Sequence, residues 1–491
     1  MRIYEIILLI SCLALLQYLI FFKKSEKKVG LVLSLAVLVD SIIQLSWEGY
    51  RWQMLPIYIT ACIYISICLL RSSNKKVLWA MPKLLTYALY TLSVLLLAIS
   101  TLASVYLPVV ELPKPEGPYT VGTRTFHFTD SSRDEIFTSN QGDKRELMVQ
   151  IWYPSDQQQG EKIASIFPQD RFLFQKYAHA YASNLKLPEF VLDYWKYFKS
   201  NSYENAGILH PSKPYPLILL SHGEGTGRIL HISQAENLAS HGYIVAAIDH
   251  TYSTTATAFP DGRVTGYERN SGTGDEEILS NAKKIGKVWN ADIDYVINQF
   301  GRMNAGDENS FLKGALDMNN IGIMGHSFGG ATAFHEVQFN PKLKAGVNMD
   351  GTLYDLSLPA GQLKPFITLR AEDFKTWTTK YKQGAIQDAK LTKLISSELQ
   401  VMNQSVRSGG KVMYIQGTSH YNFTDLQLYS KLIRLTGMTG NIDGNRGAKI
   451  ANEYVLNFFD KQLKGKGGEL LTGPSPAYPE VKFMNSSDLS K

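Results

Sequence analysis

One short stretch in the second half of the chain constrains its fold more than any other. Residues 321–336 read IGIMGHSFGGATAFHE: an apolar run, the turn GHSFG and a segment with helical spacing. A strand, a tight G-x-S-x-G turn and a helix together form a nucleophile elbow, in which the serine has a strained backbone. Glycine is required at Gly325 and Gly329 because a Cβ there would collide with the neighbouring strand or helix. The pattern predicts Ser327 as an exposed nucleophile.

A serine hydroxyl is a weak nucleophile, so this interpretation requires an oxyanion hole, a base and an acid elsewhere in the chain. Residues 217–228, LILLSHGEGTGR, form a buried type of strand that ends in His-Gly-Glu-Gly. Such an H-G-x-G loop supplies one amide of an oxyanion hole, and the residue after the nucleophile supplies the other. We therefore predict the backbone amides of Glu224 and Phe328 as the oxyanion donors.

Three strands predicted after the elbow each end in a polar loop. The first ends at Asp350, the second ends near Asp373, and the third leads into GTSHYNFTD with His420. The order serine, acid, histidine along the chain is the order of the α/β-hydrolase triad. His420 is predicted as the general base because it follows a late strand in a Gly/Ser/Thr loop. Spacing alone leaves Asp350 and Asp373 open as the acid.

Three other histidines, His222, His250 and His326, lie beside strand ends. For each of them we predict a packed or loop-bonding imidazole. No pair of histidines has the H-E-x-x-H pattern or another tight zinc spacing. We therefore predict neither a metal site nor a cofactor.

Strands alternate with helical segments through most of the chain, as where GYIVAAIDH is followed by WNADIDYVINQF. This alternation indicates a mostly parallel sheet with helices on both faces, and with the elbow it predicts an α/β-hydrolase fold. The predicted divisions are a linker at 108–124, a catalytic domain at 125–470 with a cap or insertion at 156–210, and a tail at 471–491. The aromatic-rich insertion is interpreted mainly as core, with an acyl-pocket wall or a membrane-facing lip as the alternative.

Residues 1–107 are dominated by apolar runs. Four of them are candidates for membrane spans: 3–22, 29–45, 54–70 and 84–107. We predict a transmembrane region of about four helices. The second and third runs are short, and the second contains Asp40 and Gln44, so a re-entrant or bundle-buried helix is the alternative for each.

The charges of the connecting loops predict an orientation. KKSEKK follows the first run where a signal peptide would need small residues, so that run is interpreted as a retained anchor. KKSEKK and RSSNKK with Lys83 are basic, whereas the 46–53 loop holds one arginine offset by Glu48. Since basic loops stay in the cytoplasm, we predict a multi-pass protein of the cell membrane with both termini and the catalytic domain outside.

Cysteine content and net charge limit the kinds of external protein that this chain can be. Cys12, Cys62 and Cys68 all fall inside apolar runs, so the predicted external domain has no disulfide. A cysteine-free external domain is more typical of a bacterial surface than of an animal secretory protein. The net charge of +6 comes without a long basic run, which argues against nucleic-acid binding.

Several segments together resemble the platelet-activating factor acetylhydrolase family, the plasma and type II lipoprotein-associated phospholipases A2. They are GPYTVG, LILLSHGEGTGR, NLASHGYIVAAIDH, NNIGIMGHSFGGAT, VNMDG, GTSHYNFTD and GNIDGNRGAKIANEYVLNFF, which spread over residues 117–465. The resemblance implies an α/β-hydrolase fold and calcium-independent hydrolysis of short or oxidised sn-2 acyl chains from phospholipids. It places the nucleophile at Ser327, the base at His420 and the acid at Asp350 rather than Asp373, with oxyanion amides at Glu224 and Phe328.

The chain departs from this family in two places. Glu224 occupies a position that is normally apolar in the family, and the four N-terminal apolar runs have no counterpart there. The leading hypothesis is a membrane-anchored serine ester hydrolase that acts on an ester or phospholipid and contacts membrane lipid. A general carboxylesterase or lipase, an acyltransferase or peptidase of the cell envelope, and a non-catalytic membrane sensor are the alternatives. The sequence does not predict an oligomeric state.

Overall fold

The structure is a computed structural model that describes residues 1–21, 27–72, 83–156, 161–210, 212–268, 275–307 and 310–490. The chain divides into two compact units. The first comprises Met1–Val110 and Leu187–Tyr197, and the second comprises Glu111–Lys186 and Phe198–Lys491.

The first unit is helical. Its helices are α1 (Ile3–Phe21), α2 (Lys27–Trp47), α3 (Leu55–Ser72) and α4 (Lys83–Tyr106). Among the described residues, four helical stretches are long and apolar enough to cross a membrane. The second and third are 21 residues each, longer than the predicted runs. At 1.5 Å per residue such a helix reaches about 31 Å, close to the thickness of a bilayer core. Residues 22–26 and 73–82, which carry four of the eight basic loop residues behind the orientation prediction, lie outside the described residues.

A buried ion pair and an aromatic contact tie distant segments of the first unit together. The Arg51 guanidinium donates to the Glu5 carboxylate at 2.9 Å, and both side chains are fully buried. The Trp52 indole donates to the Val191 carbonyl at 3.2 Å and meets the Phe190 ring edge-on at 5.5 Å. Residues 187–197, predicted as part of a cap on the catalytic domain, therefore fold with the helices of the first unit.

The second unit is an α/β structure. Its strands are β1 (Val121–Asp134), β2 (Lys144–Asp156), β3 (Ile163–Ser165), β4 (Lys199–Glu204), β5 (Gly207–Ile208), β6 (Tyr215–Ser221), β7 (Ile244–Asp249), β8 (Ala256–Ala258), β9 (Val264–Gly266), β10 (Leu316–His326), β11 (Leu343–Met349), β12 (Phe366–Ala371), β13 (Lys411–Ile415) and β14 (Val481–Met484). Its helices are α5 (Arg171–Leu185), α6 (Ile232–Ser240), α7 (Asp275–Ala305), α8 (Phe328–Phe339), α9 (Asp373–Lys382), α10 (Ala389–Arg407), α11 (Leu426–Tyr429), α12 (Gly444–Lys464) and α13 (Ser486–Leu489).

Within the described residues, eleven strands of the main sheet follow the order β14-β13-β12-β11-β10-β6-β7-β2-β1-β4-β3, and β5 pairs with β2. The six central strands from β13 to β7 are parallel, and β2 and β14 flank them in antiparallel pairing. Every residue of β6 and β7 is buried, as expected for parallel strands covered by helices on both faces. The predicted α/β-hydrolase fold is confirmed.

The structure differs from the predicted boundaries of the catalytic region in three further places. Strand β1 begins at Val121, inside the segment predicted as a linker. Strands β3, β4 and β5 come from the predicted cap and pair into the main sheet. Strand β14 comes from the predicted tail and pairs with β13. These segments are polar or short, so only their pairing partners identify them as strands.

Candidate active site

Ser327 lies in the turn between β10 and α8, at the carboxyl edge of the central strands. Its backbone has φ 53° and ψ −123°, a conformation that L-residues rarely adopt. A Cβ on Gly325 would lie 2.2 Å from the Gly329 carbonyl, and a Cβ on Gly329 would lie 2.2 Å from the Ser221 carbonyl oxygen. Only glycine fits at both positions, so the turn has the geometry that the G-x-S-x-G pattern predicts.

The structure brings His420 to Asp350. The Nδ1 atom of His420, in the loop after β13, lies 2.7 Å from Oδ2 of Asp350, which directly follows β11. The other carboxylate oxygen of Asp350 accepts the Ala371 amide at 2.9 Å and lies 3.5 Å from Nε of Arg370. Because an ionised carboxylate only accepts, the proton of the imidazole is on Nδ1 and Nε2 is left as an acceptor. The His420 side chain is 39% exposed, whereas that of Asp350 is 8% exposed.

Asp373, the alternative acid, is the first residue of α9 and is exposed. Although the residue is exposed, loss of part of the hydration of its carboxyl raises the pKa above the ordinary value, and the neighbouring Asp350 raises it further. Among the residues described, no hydrogen bond joins Asp373 to His420. The geometry therefore favours Asp350 as the partner of the imidazole.

The two amides predicted as oxyanion donors both lie next to Ser327. Phe328 follows it directly, and Glu224 follows Gly223, on which a Cβ would lie 3.2 Å from the Ser327 Cβ. Within the described part of the chain, neither the Glu224 amide nor the Phe328 amide has a hydrogen-bond partner. The Glu224 side chain is directed to Tyr267, whose hydroxyl donates to the carboxylate at 2.8 Å. Two free N–H groups beside a serine are what an oxyanion hole requires.

His326 precedes the serine and is fully buried. Its Nε2–H donates to the backbone carbonyl of His420 at 2.9 Å, which ties the His420 loop to the elbow. Burial lowers the pKa of His326 well below its ordinary value, and the positive charge that His420 can carry acts in the same direction. The imidazole is therefore neutral and holds a loop, in agreement with the role predicted for it.

A second group of the same three residue types lies beneath the elbow, and sequence reasoning missed it. The Ser221 hydroxyl lies 2.9 Å from Nε2 of His250, and Nδ1 of His250 lies 2.9 Å from Oδ2 of Asp292. We call these three residues the buried network, since all of them have 0% exposure. The spacing of Asp292 could have indicated it. Asp292 lies three residues after Trp289 and four before Val296, which places a carboxylate on the apolar face of α7 that the structure buries.

The carboxylate of the buried network is paired with two arginines. Arg145 donates to Asp292 at 3.1 and 2.7 Å, and Arg133 lies 2.9 Å from it. Although burial acts to raise the pKa of Asp292, the Arg145 guanidinium and the His250 hydrogen bond hold it below the ordinary value. The carboxylate is therefore ionised and acts as an acceptor for His250.

A cavity of about 400 Å³ adjoins the His420–Asp350 pair. Its apolar wall is formed by side chains of α9 and α10, namely Phe374, Trp377, Leu391, Leu394, Ile395 and Leu399. The arrangement can hold an apolar group beside the imidazole. Within the described ranges, no cluster of three or more His, Cys, Asp or Glu side chains is placed to hold a metal ion.

The chain is similar to known ester hydrolases in sequence and in fold. The family model of platelet-activating factor acetylhydrolase, isoform II, matches residues 105–467. The chain is 26% identical over 405 residues to a probable 1-alkyl-2-acetylglycerophosphocholine esterase of Arthroderma benhamiae, covering 76% of this chain and 94% of that protein. It is 24% identical over 388 residues to the platelet-activating factor acetylhydrolase of Gallus gallus, covering 72% and 84%. A ferulic acid esterase from Streptomyces cinnamoneus superposes with a TM-score of 0.59 at 25% identity, covering 77% of this chain and all of that one.

Proposed function

The chain belongs to the platelet-activating factor acetylhydrolase family, and on this premise we propose that it is a serine hydrolase of short or oxidised sn-2 acyl chains of phospholipids. The family and the esterase neighbour make it an ester hydrolase. The observation that carries the finer proposal is the 2.7 Å contact between His420 and Asp350, with the strained Ser327 at the adjacent strand end. We call Ser327, His420 and Asp350 the candidate triad.

In the proposed mechanism, the Ser327 hydroxyl attacks the ester carbonyl while Nε2 of His420 takes its proton. Asp350 holds the imidazole in the tautomer that leaves Nε2 free, and it stabilises the imidazolium that forms. His420 then returns the proton to the leaving alcohol, here a lysophospholipid. Water attacks the acyl-serine in a second cycle through the same base and releases the free acid.

The negative charge of each tetrahedral intermediate falls on the former carbonyl oxygen. The free amides of Glu224 and Phe328 are the proposed donors to it, each contributing about 3 kcal/mol to the transition state in comparable enzymes. The apolar wall beside His420 supports a substrate with a lipid chain rather than a small polar ester.

The four long apolar helices support a multi-pass membrane anchor, and we propose that the catalytic unit lies outside the cytoplasm in contact with membrane lipid. Such an anchor places the enzyme at the surface where its phospholipid substrate is concentrated.

The test uses the full-length chain in detergent or lipid nanodiscs. Phosphatidylcholines with sn-2 acetyl, butyryl and palmitoyl chains are supplied separately, with Ser327→Ala as the matched control. We expect turnover of the short chains at least tenfold faster than of palmitoyl, and none in the variant. Equal turnover of all three chains would contradict the proposed substrate class. Activity that persists in Ser327→Ala would contradict the candidate triad.

A further inference from the structure

The peptide between Gly223 and Glu224 is held by its carbonyl. The Gly223 oxygen accepts three hydrogen bonds: from Nδ1–H of His222 at 2.7 Å, from the Thr226 amide at 3.0 Å and from the Thr226 hydroxyl at 2.6 Å. In a planar trans peptide the C=O and N–H bonds point in opposite directions. Fixing the carbonyl on one side therefore fixes the direction of the Glu224 N–H on the other.

The imidazole of His222 is itself held by a second hydrogen bond, at Nε2. The backbone N–H of His250 donates to Nε2 of His222 at 3.1 Å, so one ring nitrogen donates while the other accepts. That pattern requires a neutral imidazole with its proton on Nδ1. Burial lowers the pKa of His222 well below its ordinary value, and the charge that His250 can carry acts in the same direction. Both the ring tautomer and the ring orientation are therefore fixed.

The side chain of His250 anchors this arrangement in the buried network. Because the Asp292 carboxylate accepts at Nδ1, the Ser221 hydroxyl is the donor to Nε2. The His250 ring also stacks on Trp289, with centroids 4.0 Å apart and planes 8° apart. Trp289 also packs edge-on against Phe328, with ring centroids 4.8 Å apart. The network thus reaches both residues whose amides are free.

Ser221 does not have the surroundings of a nucleophile, although its hydrogen bonds follow the same order. It is the last residue of a central strand and is fully buried. Its carbonyl oxygen packs so closely on α8 that a Cβ at Gly329 would lie 2.2 Å away. No substrate can reach its hydroxyl, so these bonds serve a structural purpose.

We infer that His222, held by the buried network of Ser221, His250 and Asp292, is a positioning residue that aims the Glu224 amide at the reacting carbonyl. This inference rests on the proposed function, because it assigns the oxyanion hole of that same site. His222 touches no substrate and acts only through the Gly223 carbonyl. Its removal therefore weakens binding of the transition state and leaves binding of the ester and proton transfer by His420 unchanged.

The test compares three variants of the full-length protein with the wild type. His222→Leu removes both hydrogen bonds of the ring, whereas His222→Asn keeps a donor near the position of Nδ1. Thr226→Val removes one donor to the same carbonyl with almost no change of shape and without touching the histidines. Ser240→Ala is the control. Ser240 is as fully buried as His222, and the variant deletes its hydroxyl, which donates to the Asn237 carbonyl at the far end of α6.

The rate is measured with a p-nitrophenyl ester and divided by the number of active sites, titrated with a fluorophosphonate. The inhibition constant of a trifluoromethyl ketone, which forms a tetrahedral adduct with a serine, is measured on the same samples. We expect kcat to fall about 10- to 100-fold in His222→Leu, about 3- to 10-fold in Thr226→Val and less than threefold in His222→Asn. KM and the acid limb of the pH profile stay in place, and the inhibition constant rises by the same factor as kcat/KM falls. Ser240→Ala behaves as the wild type.

The inference is overturned if titrated His222→Leu keeps kcat within threefold of the wild type, or if kcat falls while the inhibition constant does not change. Should His222→Leu not fold, Thr226→Val decides, and a wild-type inhibition constant in that variant overturns the inference. Failure of the proposed function gives a different result, namely wild-type protein without Ser327-dependent hydrolysis.

Discussion

The candidate triad and the buried network contain the same residue types joined in the same order, yet their surroundings differ in every respect that matters for catalysis. The serine of the triad has a strained backbone in a turn, whereas the serine of the network ends an ordinary strand. The histidine of the triad is 39% exposed and that of the network is fully buried. Within the described ranges, the amides of Glu224 and Phe328 beside the first serine have no hydrogen-bond partner. We therefore propose that access, backbone strain and a pair of free amides, more than the residue types, distinguish the candidate nucleophile Ser327 from the structural Ser221.

The largest expected difference between the candidate triad and the buried network is in the effect of replacing each serine. We expect Ser327→Ala to lower kcat at least about 10⁴-fold and to abolish fluorophosphonate labelling, because the nucleophile is gone. Ser221→Ala should lower kcat no more than about tenfold and keep full labelling, since it only loosens the support of His250. Steady-state kinetics and in-gel labelling of the full-length protein check both. Labelling that depends on Ser221 would reverse the assignment.

The second largest effect is expected from replacing the acid of the candidate triad, Asp350, compared with replacing Asp373. Asp350→Asn should lower kcat about 10³- to 10⁴-fold at neutral pH, because an amide at that position favours the wrong imidazole tautomer. The matched variant Asp373→Asn should keep kcat within about threefold, since Asp373 makes no hydrogen bond to His420 among the described residues. Measuring kcat/KM of both variants on one ester tests the choice. A larger loss in Asp373→Asn would assign the acid to the later strand.

The smallest expected effect concerns stability and pH. An unfolded histidine takes up a proton below pH about 6.5, whereas burial keeps His222 neutral in the folded state. Its folded pKa is depressed, so its contribution is present above pH 6.5 and is lost as the pH falls. Between pH 7.5 and 5.5 the wild type should lose on the order of 1 kcal/mol more free energy of unfolding than His222→Asn.

Urea titration followed by tryptophan fluorescence measures this difference. Equal losses in the wild type and the variant would mean that the folded state also protonates His222. In that case the ring could not keep Nε2 as an acceptor for the His250 amide.

The sequence alone predicted those features of the protein that a local pattern of residues encodes. The strand–turn–helix around Ser327 is recognisable because a tight turn demands glycine at fixed spacing, and the structure has that turn. Long apolar runs predicted the four helices of the first unit, because a segment that crosses a bilayer must satisfy its own backbone. Alternating buried strands and helices predicted the α/β-hydrolase fold. The family resemblance, carried by motifs at strand ends, is confirmed over residues 105–467.

What only the tertiary structure decided depends on partners that are distant along the chain. Spacing left Asp350 and Asp373 open and the family resemblance favoured Asp350, whereas the 2.7 Å hydrogen bond that joins Asp350 to His420 across 70 residues is visible only in the tertiary structure. The buried network needed β6, β7 and α7 to converge, and residues 187–197 were assigned to the helical unit only by what they pack against. Local spacing fixes which groups reach the same strand end or helix face. Which of those groups then meet is set by long-range packing, because a buried charge or polar group must find its partner wherever the fold places one.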